Sequence, residues 1–240
     1  MTYGLYMSAE GAAVQSQRLE VIANNLANVD TVGFKRDLPS FQSRFAEAIQ
    51  QGTARPGSRA ETDIGGGVKV IDVHTDYSTG RLQRTGQDFD FAIVDNGFFQ
   101  VAGDDGEVLL TRAGNFQLDS TGRLITQRTW QAVLDHAGSE IQLQPGVTSY
   151  ITGEGVIKQG GESIIFSLVQ PQSLGDLVKV GTNQFRPLAD VTPVPVGQRH
   201  IRKGYLELSG ADPTRQMMAM IETSRAFEAN TRMVQNQDSM

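Results

Sequence analysis

The sequence predicts an α+β protein, with long N-terminal and C-terminal helices, a coiled-coil-like pair, and an inserted, mainly antiparallel all-β domain between them. Apolar residues recur at seven-residue spacing near both ends of the chain, which is typical of helices that pack together. Between the ends the pattern changes to alternation with period two, which is typical of strands. Most of the 26 glycines also fall in this middle part, as expected for turn-rich β structure.

The N-terminal helix is predicted from two interleaved heptad sets, which form a seam that is more apolar in its C-terminal half. The helix is expected over residues 3–29, and Gly33 is expected to end it, in a turn with Asp30 and Thr31. The seam positions are Leu5, Ser8, Ala12, Gln15, Leu19, Ile22, Leu26 and Val29.

Three asparagines, Asn24, Asn25 and Asn28, stand near the end of this helix. Asparagine is a poor helix former because its side chain competes for backbone hydrogen bonds, so we interpret these residues as contact residues. Asn24 and Asn28 are four apart and share one helix face, with Asn25 beside them. Amides form hydrogen bonds but transfer no protons at neutral pH, which indicates assembly rather than catalysis.

The C-terminal helix is predicted to begin with Asp212 as N-cap and Pro213 at the first helical position. Its seam is again half apolar, and ordinary core packing is the more frequent reason for such a Met/Phe stripe. Because both seams are weak, we expect the terminal helices to be loose in the monomer and to become ordered against neighbouring subunits. The apolar seam positions are Met217, Met220, Phe227 and Val234, with Ile221 beside them.

The predicted organisation is a helix over residues 1–33, a connector over 34–64, a β domain over 65–209 and a second helix over 210–240. In the connector, apolar residues fit one helical face before a Gly/Pro stretch, so it is either a short helix or extended. In the β domain, Asp95-Asn96-Gly97 predicts a hairpin between the runs around Phe91 and Phe98. The connector positions are Phe34, Leu38, Phe41, Phe45 and Ile49.

The composition excludes several classes of function. The net charge of -6 and the absence of a basic run argue against a nucleic-acid partner. A chain without cysteine has no disulfides, thiolate metal sites or cysteine nucleophile. The N-terminus shows no pattern of a cleaved secretory signal, and no apolar run is long enough to span a membrane.

Asp88, Asp90 and Asp95 are the only candidates for chemistry. A glycosidase needs two facing carboxyl groups roughly 5–9.5 Å apart, but acids that flank turns are the more economical interpretation. His74, His136 and His200 are far apart and have no metal-ligand spacing, and neither a nucleophile elbow nor a phosphate-binding loop occurs. We therefore predict no catalytic residues, no cofactor and no metal.

Three blocks in the chain resemble the bacterial flagellar rod and hook proteins. The first is Ala23-Asn24-Asn25-Leu26-Ala27-Asn28 with Thr31 and Gly33-Phe34-Lys35. The second runs from Asp95-Asn96-Gly97-Phe98-Phe99-Gln100-Val101 through Thr111-Arg112-Ala113-Gly114-Asn115-Phe116 to Gly122-Arg123-Leu124. The third contains Met220-Ile221, Arg225-Ala226-Phe227-Glu228-Ala229-Asn230 and Gln235.

The length resembles the rod proteins rather than the longer hook subunit, and the candidates are the F-type proximal and the G-type distal rod protein. The family often has Ser-Asn-Val before the last helix, where this chain has Ser209-Gly210-Ala211-Asp212-Pro213. This departure mildly favours the F-type and puts the docking of the last helix in doubt.

The resemblance implies a structural subunit whose terminal helices form an inner coiled-coil layer of a hollow, helically stacked rod. This rod crosses the periplasm and transmits torque from motor to hook for motility. Its implied partners are other rod proteins, further copies of itself and the flagellar type III export apparatus, which needs no cleaved signal. The alternative is a β-domain enzyme or glycan-binding module acting on peptidoglycan, supported only by the three aspartates. The predicted subunit contacts are Leu19, Ile22, Asn24, Asn25, Leu26, Asn28, Met220, Phe227 and Val234.

Overall fold

The computed structural model describes residues 2–43, 68–103, 106–144, 146–147 and 150–238. The chain divides into two compact units. The helix unit comprises Met1–Ala27, Arg36–Asp76 and Ala211–Met240, and the β unit comprises Asn28–Lys35 and Tyr77–Gly210. The boundaries of these units differ from the four ranges predicted from the sequence. Those ranges remain a prediction for the assembled protein. The α+β fold class is confirmed.

The helix unit consists of α1 (Thr2–Ala27), α2 (Pro213–Asp238) and an antiparallel ribbon of β1 (Asp37–Ser43) and β2 (Val68–Thr75). Helix α1 packs against α2 and against both strands. The helical option for the connector is wrong between Asp37 and Ser43, because Pro39 disfavours helical backbone at its own position and at the preceding residue. The other connector positions, Phe45 and Ile49, lie outside the described residues.

Helix α1 ends at Ala27, two residues before the end of the helix predicted over residues 3–29. The next residues form a turn, in which the Thr31 amide and hydroxyl donate to the backbone and side-chain oxygens of Asn28, at 3.1 and 3.2 Å. Gly33 follows with φ +66°, and a Cβ at this position would lie 2.4 Å from the Ala113 nitrogen. Gly33 is therefore required by its close approach to the Ala113 backbone within the β unit and by its own backbone conformation rather than by the helix end.

Helix α2 begins as predicted. The Asp212 carboxylate accepts a hydrogen bond from the Arg215 amide at 3.0 Å, as an N-cap does, and Pro213 occupies the first helical position.

The β unit is built around a six-stranded antiparallel sheet with the order β13-β14-β6-β5-β12-β15. Smaller sheets pair β4 with β16, β3 with β17, β7 with β8, and β10 with both β9 and β11. The strands are β3 (Leu82–Arg84), β4 (Phe91–Ile93), β5 (Phe98–Ala102), β6 (Val108–Thr111), β7 (Phe116–Leu118), β8 (Leu124–Thr126), β9 (Tyr150–Ile151), β10 (Val156–Gln159), β11 (Glu162–Ile165), β12 (Leu168–Pro171), β13 (Leu177–Val180), β14 (Gln184–Pro187), β15 (Val191–Pro193), β16 (Ile201–Lys203) and β17 (Tyr205–Glu207).

Two apolar cores cover the two faces of the six-stranded sheet, because successive side chains of a strand point to opposite faces. Phe99 and Leu168 belong to the larger core, whereas their neighbours Phe98 and Val169 belong to the smaller one. The larger core contains four phenylalanines that form five ring contacts, with centroids 5.2–6.2 Å apart. Such aromatic pairs each add about 0.5–1.5 kcal/mol beyond the area that they bury. These residues are Phe91, Phe99, Phe116 and Phe166.

The hairpin predicted at Asp95-Asn96-Gly97 is wrong. Strand β4 pairs with β16, whereas β5 pairs with β6 and β12, so this segment crosses between two sheets. The buried guanidinium of Arg112 donates to the carbonyl oxygens of Ile93 and Asp95, at 3.4 and 2.8 Å. These side-chain bonds hold the segment in place where a hairpin would use its own backbone.

Trp130 has φ +58° and is the one non-glycine residue with positive φ in the part of the chain that the structure describes. Its side chain is 68% exposed, so packing contributes little to holding it there. The turn is held by Thr126, whose carbonyl and hydroxyl oxygens accept from the amides of Trp130 and Gln131, each at 3.1 Å.

We predict that the Trp130→Gly variant is more stable to urea than Trp130→Ala, by roughly 1 kcal/mol, since only glycine adopts this conformation without steric cost. Both variants lose the exposed indole, so the comparison isolates the backbone. Equal stability, or a more stable alanine variant, would show that the turn is unstrained.

Candidate functional site

The apolar residues predicted as subunit contacts lie on the two terminal helices and are mostly half-buried in the helix unit. Ile22 is buried, whereas Leu19 and Leu26 on α1 are only partly covered. The predicted positions on α2, which are Met220, Phe227 and Val234, are partly covered as well. The two helices approach closely where a Cβ at Gly11 would lie 3.2 Å from the Asn230 amide nitrogen.

An exposed apolar patch lies on α2, at Met217, Met218 and Ile221, whose side chains are 53%, 59% and 54% exposed. Met217, which the heptad pattern places in the seam, and Ile221, which it places beside the seam, are therefore exposed in the single chain. Gln216 and Thr223 are buried instead, and the Thr223 hydroxyl donates to the Ala219 carbonyl, so a polar side chain fills this position. The seam of α2 is rotated relative to the heptad prediction.

Asn25 forms a two-point clamp on the start of β1. Its side-chain nitrogen donates to the Asp37 carbonyl oxygen at 2.7 Å, and its side-chain oxygen accepts from the Asp37 amide at 2.9 Å. The side chain is 2% exposed. Only an amide side chain supplies a donor and an acceptor in this way, which explains why asparagine is used within the last turn of α1.

The other two asparagines differ from Asn25 in their surroundings. Asn24 is exposed, and its side-chain nitrogen lies 3.5 Å from an Asp37 carboxylate oxygen. Asn28 belongs to the β unit and is buried, and it accepts the Thr31 hydroxyl described above. The three amides therefore do not form one common face; two of them shape the chain as it leaves α1.

A buried ion cluster in the β unit joins Lys35, Arg112 and Glu207, which are 0%, 2% and 1% exposed. The Lys35 ammonium donates to Glu207 Oε1 at 2.6 Å and to the Ser78 carbonyl oxygen at 2.7 Å. The Gly80 amide also donates to Oε1, at 2.8 Å, and Arg112 donates to Oε2 at 3.3 Å. One carboxylate thus holds two cations and a backbone amide.

The cluster contains two positive charges and one negative charge, all removed from water. Burial lowers the pKa of Arg112, and the nearby Glu207 carboxylate opposes that shift. The Arg112 guanidinium also lies over the Phe98 ring at 5.2 Å, while its Nε is buried and has no hydrogen-bond acceptor among the described residues. Removing one partner from such a buried pair typically costs roughly 3–5 kcal/mol, because it leaves an uncompensated charge.

The three aspartates considered for catalysis each have a partner of their own. Asp88 pairs with Lys203 at 2.7 Å and is 77% exposed, and Asp90 is buried and accepts the Thr85 hydroxyl. Asp95 pairs with the exposed His200. Within the described ranges, no group of three or more His, Asp or Glu residues is arranged to hold a metal ion. Two of the three acids thus contact basic side chains at the surface and the third accepts a hydrogen bond from a hydroxyl, an arrangement that gives no support to a catalytic pair.

Comparison with known proteins covers nearly the whole chain. FlgG, the flagellar basal-body rod protein of Bacillus subtilis, is 31% identical over 260 residues, covering all of this chain and 97% of that protein. The corresponding FlgG of Buchnera aphidicola from Schizaphis graminum has the same identity and coverage. FlgF of Caulobacter vibrioides is 31% identical over 238 residues, covering 98% of this chain and 94% of that protein.

The chain belongs to the flagellar basal-body rod protein family. The resemblance seen in the sequence is thereby confirmed, and this rod protein is a structural component of the flagellar basal body rather than an enzyme. It assembles with other flagellar rod proteins. Among the described residues of the rod protein, no helix is both long and apolar enough to cross a membrane.

Three family descriptions match separate parts of the rod protein, and each part contains one member of the ion cluster. "Flagella basal body rod protein" matches residues 5–35, which end at Lys35. "Flagellar hook protein FlgE/F/G D1 domain" matches residues 92–159, which include Arg112. "Flagellar basal body rod FlgEFG protein C-terminal" matches residues 202–240, which include Glu207. The cluster is therefore where the three matched parts meet in the fold.

Sequence reasoning missed this cluster. Lys35 and Arg112 occur in the blocks that carry the family resemblance, whereas Glu207 lies in the predicted β domain outside these blocks. The available signal was a charged residue between two leucines, Leu206 and Leu208, in a strand near the C-terminus. That signal alone does not reveal which cations the carboxylate meets.

We predict that Asn25→Ala lowers the free energy of unfolding of the helix unit by about 1–3 kcal/mol, because it removes both hydrogen bonds between the Asn25 side chain and the Asp37 backbone. Asn24→Ala removes the same side chain one position earlier, at an exposed site, and is expected to change stability by less than about 0.5 kcal/mol. Urea unfolding followed by helical circular dichroism makes the comparison. Equal losses would refute the clamp.

Proposed function

We propose that this rod protein polymerises helically through its terminal helices and in that form transmits torque from the motor to the hook, as flagellum-dependent motility requires. In this proposal residues 1–33 and 210–240 form an inner coiled-coil layer, residues 34–64 connect, and residues 65–209 form the outer β domain. Its neighbours are other rod proteins and further copies of the same chain.

The exposed apolar patch on α2 is the observation that carries this proposal. Three large apolar side chains, Met217, Met218 and Ile221, stand more than half exposed on one short stretch of helix. Covering such a side chain fully stabilises an assembly by roughly 1.5–3 kcal/mol, and helical filaments bring one surface of a subunit against a different surface of the next. The patch therefore offers a contact that the single chain leaves unused.

The nine predicted contact residues serve this proposal in two ways. The half-buried apolar side chains, together with the exposed Asn24, offer accessible surface that a neighbouring subunit covers in the assembly. The buried Asn25 and Asn28 act indirectly, because they fix how the chain leaves α1. Ile22 is buried within the helix unit and supports the position of α1. The apolar positions in the first group are Leu19, Leu26, Met220, Phe227 and Val234.

The F-type proximal rod protein is the better assignment within the family. The alignment with FlgG of Bacillus subtilis extends over 260 positions, more than the 240 residues of this chain, so this chain lacks residues that the G-type protein has. The alignment with FlgF of Caulobacter vibrioides extends over 238 positions and needs no such gap. We further propose export through the flagellar type III apparatus, without a cleaved signal peptide.

The test is a triple substitution, Met217→Ser, Met218→Ser and Ile221→Ser, expressed in cells that lack the native gene. We expect the variant to be absent from purified basal bodies and the cells to be non-motile, while the purified monomer unfolds within roughly 0.5 kcal/mol per site of the native protein.

The matched control is Leu174→Ser with Leu188→Ser, which removes side chains of similar exposure, 50% and 68%, from the β unit. This control is expected to assemble. Normal incorporation and swimming of the triple variant would rule out the patch as a subunit contact.

A further inference from the structure

The two apolar cores of the β unit are complete without the segments that lead to the terminal helices. We call these segments, Asn28–Lys35 and residues 205–210, the latch. The buried members of the larger core lie between Phe91 and Ile201, and those of the smaller core lie between Phe98 and Phe185. None of them belongs to the latch. The sheet therefore has its hydrophobic stabilisation whether or not the latch is docked.

Polar contacts attach the latch to the rest of the β unit and join its two segments. The Gly33 amide donates to the Glu207 carbonyl at 2.8 Å, and the Gly210 amide donates to the Phe34 carbonyl at 2.9 Å. Arg128 donates to the Thr31 hydroxyl at 3.0 Å. Further bonds run from Asn183 to the Val32 carbonyl and from Lys179 to the Lys35 carbonyl, and β17 pairs with β3.

The ion cluster lies at the centre of these contacts and has an excess of positive charge. A buried ion pair contributes little net stability, because desolvation of the charges offsets their attraction. Here two cations share one carboxylate, and Arg112 Nε has no acceptor among the described residues. The attraction within the cluster therefore offsets less of the desolvation cost than it does in a simple ion pair. Phe34 is the large apolar side chain of the latch that is fully buried, at 1% exposure.

The chain passes between the two units after Ala27, Lys35, Asp76 and Gly210. On the β-unit side, the cluster contacts the chain close to three of these points, at Lys35 itself, at Ser78 and Gly80, and at Glu207. Opening the cluster therefore loosens several connections to the helix unit together, rather than one at a time.

We propose that the latch opens and closes as one cooperative element while the six-stranded sheet stays folded, and that the Glu207 carboxylate holds the latch closed. Regions held by few apolar contacts open at lower free energy than the apolar core. An open latch frees residues 28–35 and 205–210 from the rest of the β unit without unfolding of the sheet. The proposal concerns the β unit alone and does not depend on the assembly proposed above.

Native-state hydrogen exchange on the full-length monomer tests this proposal. The reporters for the latch are the amides of Gly33, Leu208 and Gly210, whose acceptors are backbone carbonyls that substitution of the Glu207 side chain leaves in place. The reporters for the sheet region are the amides of Leu134 and Ser167, which donate to the carbonyls of Gln100 and Leu134. In the native protein we expect the three latch amides to exchange with one common opening constant, larger than that of the sheet amides.

In Glu207→Gln we expect the three latch amides to exchange at least tenfold faster, while the sheet amides stay within twofold of the native rate. Glu107→Gln is the matched control, because it makes the same change at a half-exposed carboxylate paired with Arg186, and it should leave both sets unchanged. Lys35→Met leaves one cation with one carboxylate, so it should accelerate the latch amides less than Glu207→Gln does.

Four outcomes would overturn the proposal. Equal acceleration of latch and sheet amides in Glu207→Gln would mean that the latch is part of the main folding unit, and failure of this variant to fold would mean the same. Unchanged exchange rates of the latch amides in Glu207→Gln would mean that the carboxylate does not hold the latch closed. A larger acceleration in Lys35→Met than in Glu207→Gln would contradict the charge balance on which the proposal depends.

Discussion

The carboxylate of Glu207 is the constraint on which the arrangement of the β unit depends. It is 1% exposed and accepts hydrogen bonds from Lys35, Arg112 and the Gly80 amide, which come from widely separated parts of the chain. Because an ion buried without a partner is very costly, these segments have to arrive together or remain solvated. The same residue also receives the Gly33 amide on its backbone carbonyl. The side chain and backbone of Glu207 thereby fix the position of the segment that contains Gly33 and Lys35.

The close packing around this carboxylate explains two glycines. A Cβ at Gly80 would lie 2.3 Å from the Leu208 carbonyl oxygen, and one at Gly33 would lie 2.4 Å from the Ala113 nitrogen. Neither position has room for a side chain, because backbone has to approach backbone for the ions to meet. The family descriptions match the chain in three parts, and each part supplies one charged member of the cluster. The three charged residues lie in separate motifs of the sequence but form one cluster in the β unit.

Some of this was predictable from sequence, and the reason for each failure is physical. Periodicity predicted both terminal helices and the change to strands, and the cap at Asp212 followed from local hydrogen bonding. The end of α1 near residue 29 followed from the turn signals, whereas the close backbone approach that requires glycine at position 33 depends on residues distant in sequence. The hairpin at Asp95-Asn96-Gly97 failed because Arg112, distant in sequence, binds the carbonyls of that segment. Which cation meets which carboxylate depends on tertiary contacts that local patterns do not contain.

The measurement that tests the central role of Glu207 most directly is a double-mutant cycle on the full-length protein. The free energy of unfolding in urea is compared among the native chain, Lys35→Met, Glu207→Gln and the double variant. If the buried ions act as one cluster, the double variant is more stable than the sum of the single losses implies, with a coupling of about 1–3 kcal/mol. Single losses that add within about 0.5 kcal/mol would mean that the two residues act independently, and the account would be wrong.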